Sequence, residues 1–257
     1  MCNDFDSVPP IPVIAGAAVT HEDLVLESAD GNRFAAFLAR PDAPASTAIV
    51  ILPDVRGLYR FYEEFALRFA ERGYAAIAID YFGRSAGVSK RGDDFPFSEH
   101  VPQTTQDGIQ ADIAAAIEYI RGPGGGGAVA SVFTAGCCFG ASNSWLAAAS
   151  GHELAGAIGY HGGVGERGGQ PGPTQRASEM KAPILALQGG ADPHITAEDN
   201  AAFDAALTEA GVPHEVILEP GAPHSYFDRL QEEFAEQSED AWRRTLEFIE
   251  QYSSVAA

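Results

Sequence analysis

Two hydrophobic rhythms alternate along the chain. Single-residue alternation of apolar and polar positions over 24–27 and 33–39, around Asp30-Gly31-Asn32, predicts two strands joined by a tight turn. Residues 47–52 are then almost continuously apolar, as in a strand covered on both faces. In 61–72, Phe61, Phe65 and Phe69 recur at helical spacing, and the pattern stops before Gly73. Residues 74–79 form a second apolar run. Ile109, Ile113, Ile117 and Ile120 mark one face of a helix over 107–121, which the glycine-rich stretch 122–127 ends. The rest predicts strands at 129–134, 154–160, 184–188 and 215–218, and helices at 142–149, 197–210 and 232–251.

Strands that alternate with helices need crossover connections. The pattern therefore predicts an α/β fold with a mostly parallel central sheet and helices on both faces. No internal repeat and no Pro- or Ser-rich linker divides the sequence. Residues 1–257 are read as one domain, with 1–20 an extended N-terminal segment. Two connections, 84–106 and 161–183, are long, and both leave the C-terminal ends of strands, where open α/β sheets place their ligands.

Charge narrows the function classes. Sixteen basic against thirty-six acidic residues give a net charge of −20, which repels nucleic-acid phosphates and anionic lipid. No nucleic-acid or membrane partner is expected, and no run approaches the roughly 18 apolar residues of a membrane span. The apolar stretch 11–19 follows Asp4 and Asp6 and lacks the basic flank of a secretory signal. Of three cysteines two are adjacent, and neighbouring Cα atoms, about 3.8 Å apart, are too close for an unstrained bridge. Free thiols, a cytoplasmic location, and a monomer or small homo-oligomer are the expectation.

The most informative segment is Gly136-Cys137-Cys138-Phe139-Gly140, a G-x-C-x-G turn between a predicted strand and a predicted helix. Small neighbours let such a turn strain its central residue and lift that side chain above the sheet edge, at a helix N-terminus. Cys138 is the candidate nucleophile. Cys137 should point into the core, and Cys2 has no assigned role. Asp192 follows the strand at 184–188 and His224 follows the strand at 215–218, so nucleophile, acid and base appear in α/β-hydrolase order. A thiol needs a base to ionise, and the imidazole needs a carboxylate to fix its tautomer. His161 is read as near the pocket, and His194 as a surface or pocket-lining residue. His21, His100, His152 and His214 are read as ordinary polar residues. The loop Pro53-Asp54-Val55-Arg56-Gly57 sits where this fold donates one oxyanion N–H, so the backbone N–H groups of Val55 and Phe139 form the expected oxyanion hole. Asp54 itself can alternatively cap the following helix.

Together these segments, with Pro220-Gly221-Ala222-Pro223-His224-Ser225, resemble the dienelactone hydrolase (carboxymethylenebutenolidase) family over nearly the whole chain. The resemblance implies an α/β-hydrolase fold without cofactor or metal and a Cys-His-Asp triad of Cys138, His224 and Asp192 that acts on a small-molecule ester or lactone. It also implies that Asp54 is the acid governing thiol ionisation, although the family usually has Glu there. Arg84 matches the first of two arginines that hold a substrate carboxylate. Asp228 stands in place of the second, with Arg229 one position late. Two other functions remain open: a broad carboxylesterase or thioesterase on the same triad, and a catalytically silent binding protein. Other motifs fail. The G-x-G-x-x-G match within 122–127 precedes a strand, and G-K-[ST], H-E-x-x-H and zinc-finger cysteine spacing do not occur.

Overall fold

The computed structural model describes residues 6–254. One sheet contains eight strands: β1 (Val19–Glu27), β2 (Arg33–Pro41), β3 (Thr47–Leu52), β4 (Ala75–Ile79), β5 (Ser131–Cys137), β6 (Gly156–Tyr160), β7 (Ile184–Gly189) and β8 (His214–Glu219). Their order across the sheet is β1-β2-β4-β3-β5-β6-β7-β8. The pairs β1–β2 and β2–β4 are antiparallel; all pairs from β4 to β8 are parallel. The helices are α1 (Arg60–Ala70), α2 (Gly83–Ala86), α3 (Phe97–His100), α4 (Gln106–Arg121), α5 (Phe139–Ala148), α6 (Ala197–Ala210) and α7 (Ala235–Tyr252).

The apolar runs build a core on both faces. Along β3, Ile49 and Ile51 join the cluster formed with α1 and α7, while Ala48, Val50 and Leu52 join the one formed with α4. That two-residue period is why the run 47–52 has no polar interruption. Trp145 of α5 and Phe203 of α6 anchor a third cluster against β6 and β7.

Several boundaries differ from the sequence expectation, each for a physical reason. β1 begins at Val19, inside the expected N-terminal segment, because Thr20, His21, Glu22 and Asp23 form an exposed edge held by backbone pairing to β2. An edge strand that buries little carries no strong hydrophobic signal. Ahead of it, Ile11 is buried in the α1–α7 cluster and Val8 O accepts from Gln231 Nε2. β5 runs on to Cys137 and α5 begins at Phe139, so Cys138 alone separates strand from helix. α7 starts at Ala235, since the chain after His224 folds as successive turns around buried Tyr226, Phe227 and Asp228. Cys2 lies outside the described residues.

The connection 84–106 is ordered from within. Arg91, almost fully buried, pairs with Asp80 at 2.7 Å and donates to Gly87 O, and Asp80 also accepts from the N–H groups of Leu58 and Phe82. This ties the loop beyond β4 to the loop beyond β3.

The glycines of the G-x-C-x-G turn are required by space. A Cβ on Gly140 would lie 1.9 Å from Leu52 O, and one on Gly136 would lie 2.3 Å from Gly140 C. Gly140→Ala is therefore expected to lower stability by about 3 kcal/mol, since β3 must move to admit it. Gly163→Ala, whose added carbon meets only Ser142 Oγ at 3.7 Å, should leave the urea midpoint nearly unchanged. Urea denaturation of the two variants checks the contrast.

Candidate active site

Cys138 occupies the apex of the strand-to-helix turn with φ 54° and ψ −110°. Such a conformation costs an L-residue about 1–3 kcal/mol and persists where the surroundings over-determine it. Here the Cys138 N–H donates to Tyr160 O at 2.9 Å, and its carbonyl accepts from Ala141 and Ser142 N–H. The Cys138 side chain is half-buried, whereas Cys137 is wholly buried in the core with Tyr160 and Phe65. The two neighbours are thus sorted by the turn.

His224 and Asp192 meet beyond the ends of β8 and β7. Nδ1 of His224 lies 2.6 Å from Asp192 Oδ2, and Asp192 Oδ1 accepts from His194 N–H at 2.8 Å. A carboxylate can only accept, so the proton sits on Nδ1 and Nε2 is left as the basic nitrogen. Burial pushes the Asp192 carboxyl up, but the hydrogen bonds from His224 and His194 outweigh it and hold the group below its usual value. The loops that carry the pair interlock: Ala191 N–H donates to Ala222 O at 2.9 Å, and Gly190 N–H to Glu219 O at 2.8 Å.

Asp54 is completely buried at the end of β3. Its carboxylate accepts from Arg56 N–H at 2.7 Å and from the Tyr59 hydroxyl at 3.2 Å, and its own N–H donates to Tyr62 Oη at 2.8 Å. It does not cap α1, whose N-cap is Tyr59. Burial pushes its carboxyl up to about 6, against the opposing help of the Arg56 N–H and charge. The N–H groups of Asp54, Arg56, Gly57 and Leu58 all have acceptors in or beside this loop. Among the described residues nothing accepts from Val55 N–H, and Phe139 N–H, at the first position of α5, has no intrahelical acceptor.

Arg84 is held by ion pairs that the sequence does not announce. Its Nη1 lies 2.6 Å from Asp112 Oδ2 of α4, its Nη2 lies 2.8 Å from Asp30 Oδ2 of the β1–β2 turn, and Nε donates to Asp30 as well. The guanidinium is shared between two carboxylates, one of them the buried Asp112. Asp228 is fully buried, lies 3.5 Å from His161 Nε2 and accepts from Arg229 N–H.

Further residues carried no sequence signal. Tyr59 and Tyr62 of the α1 region grip Asp54 although their spacing reads as helix core. The Tyr81 hydroxyl donates to Pro53 O, and its ring packs edge-on against Phe139 at 5.4 Å. The guanidinium of Arg167 lies 4.5 Å from the centre of the Phe139 ring. Arg167 is held by a two-residue turn, with reciprocal bonds to Gln170 and φ of 59° and 75° at Gly168 and Gly169, as in the type I′ turn. His161, expected near the pocket, packs against His224, and β7 lies between the strands that carry them.

The sheet order, the strained residue between β5 and α5, and the acid and histidine beyond β7 and β8 define the α/β-hydrolase class. Residues 34–253 match the model of the dienelactone hydrolase family, and the chain belongs to that family and is a hydrolase. It is similar to an Escherichia coli K12 protein named "Putative carboxymethylenebutenolidase", with 30% identity over 86% of this chain and 84% of that one. A Rhodococcus opacus carboxymethylenebutenolidase is 25% identical over 100% of this chain and 99% of its own. In fold, the chain is similar to the crystal structure of a Klebsiella pneumoniae "Putative Dienelactone Hydrolase" (TM-score 0.78, 24% identity), covering 91% of this chain and all of that one.

Two outcomes follow from the charges. Asp54 binds its proton more tightly folded, at about 6, than unfolded, near 3.8. Its contribution to stability is whole below pH 3.8 and is lost as pH rises through about 6. Asp54→Asn lacks that loss, so its stability relative to wild type should improve by up to about 3 kcal/mol between pH 4 and pH 7.5, measured by denaturation at each pH. Arg84→Ala removes a counter-ion from buried Asp112 and should cost about 1–3 kcal/mol, reduced from the full value by its partial exposure. It should change KM for carboxylate-bearing and neutral esters by the same factor.

Proposed function

We propose that this hydrolase cleaves lactones or small carboxylic esters through Cys138, His224 and Asp192, by way of a thioester acyl-enzyme. The observation that carries the reading is the 2.6 Å contact of His224 Nδ1 with Asp192, in a loop whose histidine packs on His161, the residue after the Tyr160 that accepts from Cys138 N–H. His224 Nε2 takes the thiol proton as Cys138 Sγ attacks the carbonyl carbon. The negative oxygen that develops is held by the N–H groups of Val55 and Phe139, which face no other acceptor among the described residues. Collapse expels the alkoxide, protonated by His224; in a lactone it remains tethered as the hydroxyl end of the acyl group. Water, deprotonated by His224, then attacks the thioester, Sγ leaves, and the carboxylic acid is released. Asp192 stabilises the imidazolium at both stages. Asp54, gripped by Tyr59 and Tyr62, supplies the buried acid that adjusts the thiol's ionisation.

A second reading concerns the substrate. The commitment of Arg84 to Asp30 and Asp112, with a buried acid at Asp228, favours neutral short-chain esters at least as much as carboxylate-bearing lactones. The names of the relatives favour the lactones.

A panel of nitrophenyl esters and carboxylate-bearing lactones at neutral pH separates these substrates. Cys138→Ala should lower kcat by about a thousandfold or more, whereas Cys137→Ala should keep kcat within a few-fold and lose stability. Mass spectrometry of the quenched enzyme should show an acyl adduct on the peptide that contains Cys138. A folded Cys137→Ala without turnover, beside an active Cys138→Ala, would overturn the assignment.

A further inference from the structure

His161 follows β6 immediately, with φ 40°, in the left-handed region. Its N–H donates to Leu187 O at 2.8 Å, so the strained backbone is pinned to β7. The ring is fully buried and stands edge-on to His224, with centroids 4.7 Å apart and planes at 65°. On another side, its Nε2 lies 3.5 Å from Asp228 Oδ2, and Asp228 is buried as completely. An apolar residue would fill this place at a lower desolvation cost than a strained imidazole over a buried carboxyl. His161 thus touches both Asp228 and the one histidine that the chemistry needs.

We propose that His161 and Asp228 are positioning residues for His224: the His161 ring fixes the orientation of the catalytic imidazole, and Asp228 gives its imidazolium a second carboxylate besides Asp192. The proposal rests on the triad reading above. His224 faces Asp192 and the His194 ring from the β7–α6 loop, and His161 from β6. His161 faces His224, Asp228 and the Tyr226 ring. Asp228 is acted on by Arg229 N–H, Ser225 and His224 from its own segment, and by Asp54 from the loop beyond β3; its charge is felt in turn by Tyr62 of α1. Burial, with the added charge of Asp54, pushes Asp228 up to about 7, whereas burial and the proximity of His224 hold His161 well below the ordinary histidine value. Near neutrality Asp228 therefore gains or loses its charge while His161 stays neutral. As pH rises through about 7, the charge that appears on Asp228 stabilises protonated His224.

The test follows the ring C–H resonance of His224 by NMR across pH, assigned with His224→Gln, in wild type, Asp228→Asn and His161 variants. Asp228→Asn keeps the shape and the acceptor for Arg229 N–H, and should lower the protonation midpoint of His224 by about half a pH unit or more. In ester hydrolysis, His161→Ala should lower kcat about tenfold with KM within about twofold, and His161→Phe should recover most of the loss by restoring a ring wall. Should His161→Ala not fold, His161→Leu, similar in volume but without a ring, should show the same loss. An unmoved His224 midpoint in Asp228→Asn would overturn the proposal. Wild-type kcat in a folded His161→Ala or His161→Leu would do the same. The titration needs no turnover, so a wild-type protein inactive on every ester would remove the triad reading while the NMR arm still decided the charge coupling.

Discussion

The first turn of α5 lies against the ends of β3 and β5 with no room for a side chain between them. Gly140 meets Leu52 O and Gly136 meets Gly140 itself, so strand and helix are joined by a single residue. That residue, Cys138, must take positive φ, and its N–H is thereby directed at Tyr160 O. The same approach sets the loop beyond β3 beside the helix N-terminus, where the Tyr81 hydroxyl braces Pro53. Backbone packing, more than any side-chain contact, decides where the thiol stands.

Around this point the fold gathers four carboxyl groups at the C-terminal ends of its strands, and treats each differently. Asp80 is balanced by Arg91 and two backbone N–H groups. Asp192 is held ionised by His224 and His194 N–H. Asp54 and Asp228 are buried with weaker compensation, and both are raised into the range where they exchange protons near neutrality. A chain with net charge −20 has carboxylates to spare on its surface. These are distinguished by the partners that remain after water is removed.

What could be read from the sequence was what is local along it. The apolar run of β3, the isoleucine face of α4 and the glycines around Cys138 each declare themselves within a few residues, and Asp192 and His224 were recognisable because each directly follows a strand. The ion pairs of Arg84 were not legible, because its partners Asp30 and Asp112 lie 54 and 28 residues away and meet it only in the folded chain. The tyrosines that grip Asp54 were hidden inside a helical aromatic pattern, and the ion pair of Asp80 with Arg91 inside a loop without periodicity. β1 was cut short because an exposed edge strand needs no alternation. The meeting of His161 with His224 depends on the lateral order of β6, β7 and β8, which no single segment encodes.

The sorting of the two neighbouring thiols carries a redox consequence. A half-exposed thiol at a helix N-terminus is open to peroxide, and its first product, a sulfenic acid, is spared further oxidation when a second thiol condenses with it to a disulfide and water. Among the described residues the only other cysteine is Cys137, whose side chain faces the opposite side of the sheet end, buried beside Tyr160 and Phe65. Adjacent residues are too close for a relaxed disulfide, and the elbow cannot open without shifting β3. The geometry that lifts Cys138 to the apex of the turn thus denies it a resolving partner next door. Rescue of an oxidised Cys138 therefore needs a thiol other than Cys137.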